Sequence, residues 1–197
     1  MYHVFGPVQT RTFRVLWALE ELGLSYELSQ IYSRQPEIVA MNPSGKVPVL
    51  KVGDDVITDS SAIMTYLADK HGGLIAPAGT IPRAKQDAML HQVLDEIDAV
   101  LWTAARHSFV LPEDKRVPDV KPSLKWEFNR NLSRIADHMT GEFACGDGFT
   151  IVDIALTHCL NWAYSAKFDY DSDKMKTYAK NMRNRDAFRK VAALAKS

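Results

Sequence analysis

The sequence predicts an α/β domain followed by an all-helical domain. Short apolar segments that favour strands alternate with helical periodicity as far as His71. A segment rich in glycine and proline then interrupts both periodicities, and the apolar residues beyond it recur at helical spacing. These three observations divide the chain into an α/β domain at residues 1–75, a linker at 76–82 and a helical domain at 83–197.

The N-terminal domain begins with a strand, a helix and a second strand. Residues 2–5 form a short apolar strand, and the helix runs from residue 10 or 11 to about residue 22, where Gly23 ends it. Residues 24–29 are the second strand. A loop with a short helix after Pro36 follows.

A hairpin and a further helix complete this domain. The β-rich run at residues 47–52 turns at Gly53 into a second short strand at 56–58. Asp59 or Ser60 can then cap the helix that follows. Together with the preceding strand–helix–strand unit, this order is the thioredoxin-like pattern.

Pro48 lies at the start of the hairpin. A proline cannot donate to a sheet ladder, so it belongs at a sheet edge or at the first position of a strand. If the peptide bond before Pro48 is cis, the chain turns sharply and leaves the N–H and C=O of Val47 unpaired. An extended peptide could pair with both groups, as an added strand does.

Ser60 and Asp59 lie where the following helix begins. Free N–H groups and the helix dipole make such a position an anion site, and the neighbouring carboxylate can hold an ammonium group. A ligand that matches the backbone clamp, the anion site and the amine site is a small peptide with a free α-amino acid end.

The second half of the chain is helical throughout. One long helix covers residues 83–109 and ends before Pro112, and another covers residues 121–140 with a clean apolar stripe. Thr150 and Asp153 have the spacing of a capping box at the start of a third helix. Such a cap stabilises the fold by about 1 kcal/mol and has no chemical role.

Composition excludes several classes of function. Lysine plus arginine and aspartate plus glutamate both number 24, so a zero net charge gives no support for a nucleic-acid partner. The two cysteines, Cys145 and Cys159, lack metal-type spacing and fit a reducing compartment. No metal site, signal peptide or membrane helix is expected. These features predict a soluble cytoplasmic protein.

The segment from Asn42 to Leu67 resembles the glutathione-binding half of the cytosolic glutathione S-transferases. Pro48 matches the cis-proline of that family, and Asp59 with Ser60 matches its acidic residue and serine. The run 17–27 resembles the first helix and second strand of the family, and the capping box at 150–153 resembles the one in its C-terminal domain. The chain is identified as a member, of the bacterial, theta-like serine/threonine type.

This resemblance implies a glutathione transferase that binds glutathione as a thiolate and transfers it to an electrophilic small molecule. Val47 and Pro48 would clamp the peptide backbone, Asp59 and Ser60 would hold the γ-glutamyl end, and Lys46 would approach the glycyl carboxylate. A homodimer is expected. An electrophile pocket is expected between the domains, with Trp102, Arg106 and Phe109 as its candidate residues.

The chain departs from the family at the expected catalytic hydroxyl. Serine-type members carry it three residues before a small residue and an arginine; Thr10 and Arg11 match that pair, but three residues earlier stands Pro7. The nearest candidates are Thr10, Gln9 and Thr12, of which Thr10 is the predicted catalytic residue, although it can equally serve as an N-cap. The alternative function is a non-catalytic binding or assembly module, like the related domains of translation-factor subunits.

Overall fold

The computed structural model describes residues 1–195, which form two compact units. The first contains Met1–Arg83 together with the segment from Met182 onward, and the second contains Ala84–Asn181. The sequence predicts that the segment from Met182 onward belongs to the helical domain. In the structure this segment belongs to the first unit, because it packs on a helix there. The domain boundaries at 1–75, 76–82 and 83–197 stay a prediction.

Four strands form one sheet in the first unit. They are β1 (Tyr2–Phe5), β2 (Tyr26–Ser29), β3 (Val49–Val52) and β4 (Asp55–Thr58). Their order across the sheet is β2-β1-β3-β4, with β1 parallel to β2 and β3 antiparallel to both β1 and β4. The third strand begins only after Pro48, because proline has no N–H for the ladder.

Three helices accompany this sheet in the N-terminal part of the chain: α1 (Phe13–Glu21), α2 (Pro36–Met41) and α3 (Ser60–His71). Residues Val8–Thr12 form a kinked turn ahead of α1, since Thr10 has an extended backbone (φ −101°, ψ −169°). The regular helix therefore begins two or three residues later than the sequence predicts, and α1 packs against α3.

The chain then forms a long helical stretch and three further helices. The stretch comprises α4 (Ile81–Gln92), wider π-type turns at Val93–Asp98, α5 (Ala99–Ala105) and π-type turns at Arg106–Val110. After it come α6 (Lys121–His138), α7 (Ile151–Ser165) and α8 (Asp173–Arg183). The predicted fold class, an α/β domain followed by helices, is confirmed.

The predicted capping box is present at the start of α7 and belongs to a larger buried network. Thr150 accepts from the Val152 N–H at 3.3 Å, and Asp153 accepts from the Thr150 N–H at 2.8 Å. Asp153 also accepts from the Ala144 N–H at 2.7 Å and from the Tyr178 hydroxyl at 2.8 Å. Burial raises the pKa of Asp153, and these hydrogen bonds oppose that rise.

The last helix, α9 (Asp186–Leu194), packs on α1 and completes the first unit. The rings of Phe188 and Trp17 meet edge to face with their centroids 5.0 Å apart. Arg185 donates to both carboxylate oxygens of Glu21, at 2.6 and 2.7 Å. Such a bidentate pair fixes the start of α9 against the end of α1.

Candidate functional site

The loops that carry the predicted site residues meet at one end of the sheet. Phe5, at the end of β1, is in register with Val49 at the start of β3, and Val49 is in register with Thr58 at the end of β4. The loop after β1, Pro48 and Asp59 all adjoin these three strand ends. The sheet topology thus brings together segments that are far apart in sequence.

Asp59 caps α3 with its own side chain. One carboxylate oxygen, Oδ1, accepts from the Ser61 N–H at 2.9 Å and the Ala62 N–H at 3.1 Å, and also from the Ser61 hydroxyl. The backbone of Asp59 has φ +73°, a region that residues other than glycine rarely occupy. The cap therefore holds a sharp turn between β4 and α3.

The carboxyl group of Asp59 is stabilised in its ionised form. Partial burial opposes ionisation, but the hydrogen bonds from Ser61 and Ala62, with the nearby charge of Arg14, outweigh it and lower the pKa of Asp59. Because the capping bonds all reach Oδ1, no partner within residues 1–195 occupies Oδ2. That oxygen can accept a hydrogen bond from a ligand amine.

Ser60 begins α3 and is only 3% exposed. Its hydroxyl oxygen lies 3.5 Å from the Nη1 of Arg14, a fully buried arginine on α1. Arg14 is not among the site residues that the sequence predicts. The available signal was its position four residues before Ala18, which puts a charged side chain on the predicted apolar face of the helix.

The Val47–Pro48 peptide bond is cis, as the resemblance implied. Pro48 is buried and Val47 is half-buried. Within residues 1–195, neither the N–H nor the C=O of Val47 has a hydrogen-bond partner. The main chain at this position is therefore able to pair with an extended peptide.

Lys46, just before Val47, lies at the surface. Its backbone is tied into the preceding turn, because its carbonyl accepts from the side-chain amide of Asn42 at 2.9 Å and its N–H donates to the Ser44 hydroxyl at 3.4 Å. No carboxylate in the described part of the chain forms an ion pair with its ammonium group. A ligand carboxylate can approach it.

Gly6 allows the loop after β1 to lie close to Val47. Its φ is +132°, and a Cβ added there would stand 2.3 Å from the Thr12 Oγ1 and 2.9 Å from the Val47 Cβ. A side chain at this position is therefore excluded. Val47 and the turn that carries Thr10 and Thr12 consequently border the same small region.

Thr10 forms the hydrogen bonds of a local cap. Its hydroxyl lies 2.8 Å from the Pro7 carbonyl oxygen, to which it donates, and its oxygen accepts from the Thr12 N–H at 3.2 Å. The hydroxyls of Thr10 and Thr12 are 2.9 Å apart. Thr10 is half-buried, whereas Thr12 is fully buried. Of the two, Thr10 is the hydroxyl that a ligand can reach.

The residues predicted for the electrophile pocket lie on the long helical stretch of the second unit. Phe109 is 68% exposed, and Trp102 and Arg106 are intermediate. Arg106 donates to the Thr103 hydroxyl at 3.0 Å, which fixes one side of its guanidinium. Trp102 belongs to α5, whereas Arg106 and Phe109 belong to the wider turns that follow it.

Among residues 1–195, no group of three or more histidine, cysteine, aspartate or glutamate side chains is arranged to hold a metal ion. Over the same residues, no helix is long and apolar enough to span a membrane.

Residues 11–70 match the family profile described as the glutathione S-transferase, N-terminal domain. The chain is 36% identical over 160 residues to glutathione S-transferase 3 of Zea mays, covering 75% of this chain and 71% of that protein. It is 32% identical to glutathione S-transferase GstA of Escherichia coli O157:H7, covering 67% of this chain and 64% of that protein.

The chain is also similar to a translation elongation factor subunit and to a solved structure with bound glutathione. Elongation factor 1-gamma 3 of Oryza sativa subsp. japonica is 25% identical over 94% of this chain, which spans 47% of that protein. A Sulfitobacter glutathione transferase homologue, solved with bound glutathione, superposes with a TM-score of 0.86 at 20% identity, covering 98% of this chain and 97% of the other.

Three features define the class of protein. A thioredoxin-like sheet carries a cis-proline just before β3, Ser60 begins a helix that Asp59 caps, and a helical unit follows. The relatives then make the assignment specific. This chain belongs to the glutathione S-transferase family. The bacterial, theta-like subtype stays a prediction.

Proposed function

We propose that this protein binds glutathione at the sheet end described above and transfers it, as a thiolate, to an electrophilic small molecule. The observation that carries this proposal is the convergence of Val47, with its open backbone groups, and the Asp59–Ser60 pair at one end of the sheet. Together they match a peptide that has a free α-amino acid end.

The peptide backbone of glutathione would pair with Val47. Its cysteinyl N–H would donate to the Val47 carbonyl, and its carbonyl would accept from the Val47 N–H, as in strand addition. Lys46 would hold the glycyl carboxylate at the exposed end of the ligand. At the other end, the Ser60 N–H and hydroxyl would donate to the γ-glutamyl carboxylate, while Asp59 Oδ2 would accept from the ammonium group.

Thr10 would stabilise the thiolate. A free thiol has a pKa of about 8.5, so little of it is ionised near neutral pH. The hydroxyl of Thr10 would turn from the Pro7 carbonyl to the sulfur, and the Thr12 hydroxyl, 2.9 Å away, can then donate to the Thr10 oxygen. Such a chain of hydrogen bonds strengthens the outer donor, and the nearby start of α1 adds the helix dipole.

The proposal also includes an electrophile pocket, an oligomeric state and a cellular location. Trp102, Arg106 and Phe109 would contribute to the electrophile pocket, with the exposed ring of Phe109 available to an apolar substrate. The protein would act as a cytoplasmic homodimer in detoxification. No metal would take part.

The proposal is tested first by calorimetry with glutathione and then by conjugation to an activated aryl halide. Wild type should bind glutathione, and Ser60→Ala should weaken binding about tenfold, because a charge-assisted hydrogen bond is lost. Lys51→Ala, an exposed residue of β3, is the matched control and should bind normally. Equal affinity in wild type and Ser60→Ala would remove the assigned site.

A non-catalytic binding or assembly module is the second candidate function. It is favoured by Pro7, which stands where serine-type relatives carry a hydroxyl, and by the similarity to elongation factor 1-gamma over 94% of this chain. This candidate predicts glutathione binding without turnover of several electrophiles and without the ultraviolet absorbance of a bound thiolate. Turnover that depends on Thr10 would exclude it.

A further inference from the structure

The start of α3 offers fewer free donors than a helix N-terminus normally does. Four N–H groups lack intrahelical partners at such an end. Here Asp59 Oδ1 accepts from the N–H groups of Ser61 and Ala62, and the Asp59 carbonyl accepts from Ile63 at 3.0 Å. Within residues 1–195, only the Ser60 N–H of this turn has no hydrogen-bond partner.

The charge next to this turn is also unfavourable for an anion. The Asp59 carboxylate is ionised and adjoins Ser60, so it repels a ligand carboxylate while it attracts a ligand amine. A helix dipole contributes only modestly at a surface site, and the Asp59 carboxylate, as the cap, already interacts with much of it. A second source of positive charge is needed for a carboxylate to bind beside Asp59.

Arg14 is in the right place to supply that charge. It is fully buried on α1, which packs against α3, and its Nη1 lies 3.5 Å from the Ser60 hydroxyl oxygen. When the guanidinium donates to this oxygen, the hydroxyl proton of Ser60 is left to donate outward. The arginine thus acts on a ligand through Ser60, without having to touch the ligand itself.

We infer that Arg14 is a positioning residue that makes the start of α3 selective for the zwitterionic end of an α-amino acid. Its charge offsets that of Asp59, so the carboxylate of the ligand binds on the Ser60 side and the ammonium on the Asp59 side. This inference rests on the proposed glutathione site, and it assigns the selectivity of that site to one buried side chain.

The test compares glutathione with an analogue in which the γ-glutamyl α-carboxyl group is an amide. Binding is measured by calorimetry for wild type, Arg14→Met and Arg14→Lys. Wild type should prefer glutathione to the amide by roughly tenfold or more, as expected for a charge-assisted contact. Arg14→Met should lose that preference through weaker glutathione binding, with the amide changed by less than about threefold.

The control variant is Lys51→Met, which removes an exposed positive charge from the same unit and should keep the full preference. Arg14→Lys retains the charge in a side chain without the planar fork and should recover part of the preference. Thermal unfolding of each variant shows whether it is folded. If Arg14→Met does not fold, the neutral variant Arg14→Gln takes its place, and an unchanged preference for glutathione in that variant overturns the inference.

Failure of this inference differs from failure of the proposed function. If wild type does not bind glutathione, the proposed function and this inference both fall. If wild type binds and Ser60→Ala weakens binding, but folded Arg14→Met keeps the preference for glutathione over the amide, only the inference is overturned. Equal losses for both ligands in a folded Arg14→Met would also overturn it, because a merely structural role acts on both alike.

Discussion

At the scale of single residues, Asp59 combines a structural role with a proposed binding role. Its Oδ1 caps α3, and its Oδ2 is open to a ligand amine. Asp59→Ala removes both roles, so weaker binding in that variant would have two explanations. Asp59→Asn separates them, because asparagine is an equally good N-cap and tolerates the positive φ.

We expect Asp59→Asn to bind glutathione about tenfold more weakly, since one charged hydrogen bond to the ammonium group is lost. Its unfolding midpoint near neutral pH should stay close to that of wild type. Calorimetry and chemical denaturation measure the two quantities on one preparation. Normal binding in Asp59→Asn would mean that the carboxylate only caps the helix.

The pKa of Asp59 also predicts how stability depends on pH. Because this pKa is lowered in the folded protein from its ordinary value of 3.8, ionised Asp59 contributes stability above pH 3.8 that is lost as the pH falls through the lower folded value. Wild type should therefore lose more unfolding free energy than Asp59→Asn as the pH falls. Denaturation curves from neutral pH to about pH 3 check this, and a constant difference would contradict it.

Thr10 is tested by substitutions that keep its shape or its hydroxyl. Thr10→Val should shift the pH–rate profile of conjugation to higher pH, because the thiolate loses a donor, and should cost about 1 kcal/mol of stability through the lost cap. Thr10→Ser should preserve both. A Thr10→Val enzyme with lower stability and an unchanged profile would leave Thr10 as a cap alone.

At the scale of elements, the buried network around Asp153 stabilises the second unit. Tyr178→Phe should lower the free energy of unfolding by about 1–3 kcal/mol, since a buried carboxylate loses a donor. Tyr164→Phe is the control, because Tyr164 is 81% exposed and should have no measurable effect. Urea unfolding compares the variants, and both should keep wild-type affinity for glutathione.

The elements that the sequence predicts well are those with local signals. The capping box needs only Thr150 and Asp153, three residues apart, and the hairpin needs only its turn and Pro48. The predicted start of α1 is too early, because apolar spacing does not report the extended backbone of Thr10. Periodicity shows which residues face the core, whereas a kink at a helix start is decided by hydrogen bonds.

Contacts between residues that are far apart in the chain cannot be predicted from a local sequence pattern. Arg14 and Ser60 are 46 residues apart, and Arg185 and Glu21 are 164 residues apart. Nothing near any of these residues in the sequence identifies its partner. The sequence therefore predicts the candidate site as a set of residues, whereas only the structure shows that Asp59 uses the α3 donors and where Arg14 lies.

At the scale of the whole chain, the ion pair between Arg185 and Glu21 joins the two chain segments that make up the first unit. Arg185→Gln should lower the free energy of unfolding by roughly 1–3 kcal/mol, because the Glu21 side chain is only 10% exposed and loses a bidentate partner. Arg189→Gln is the control: its pair with Asp186 lies at the surface, where such pairs contribute little. Equal midpoints for the two variants would contradict this role.

The packing of α9 on α1 also affects the order in which a growing chain can fold. When residues up to Arg83 have left the ribosome, Phe188 does not yet exist, so the ring of Trp17 lacks one of its neighbours. Residues 84–181 are contiguous and can complete their own contacts earlier. Domains generally fold from the N-terminus during synthesis. Here the first 83 residues are translated first, but the packing of their unit is completed only when α9 is made.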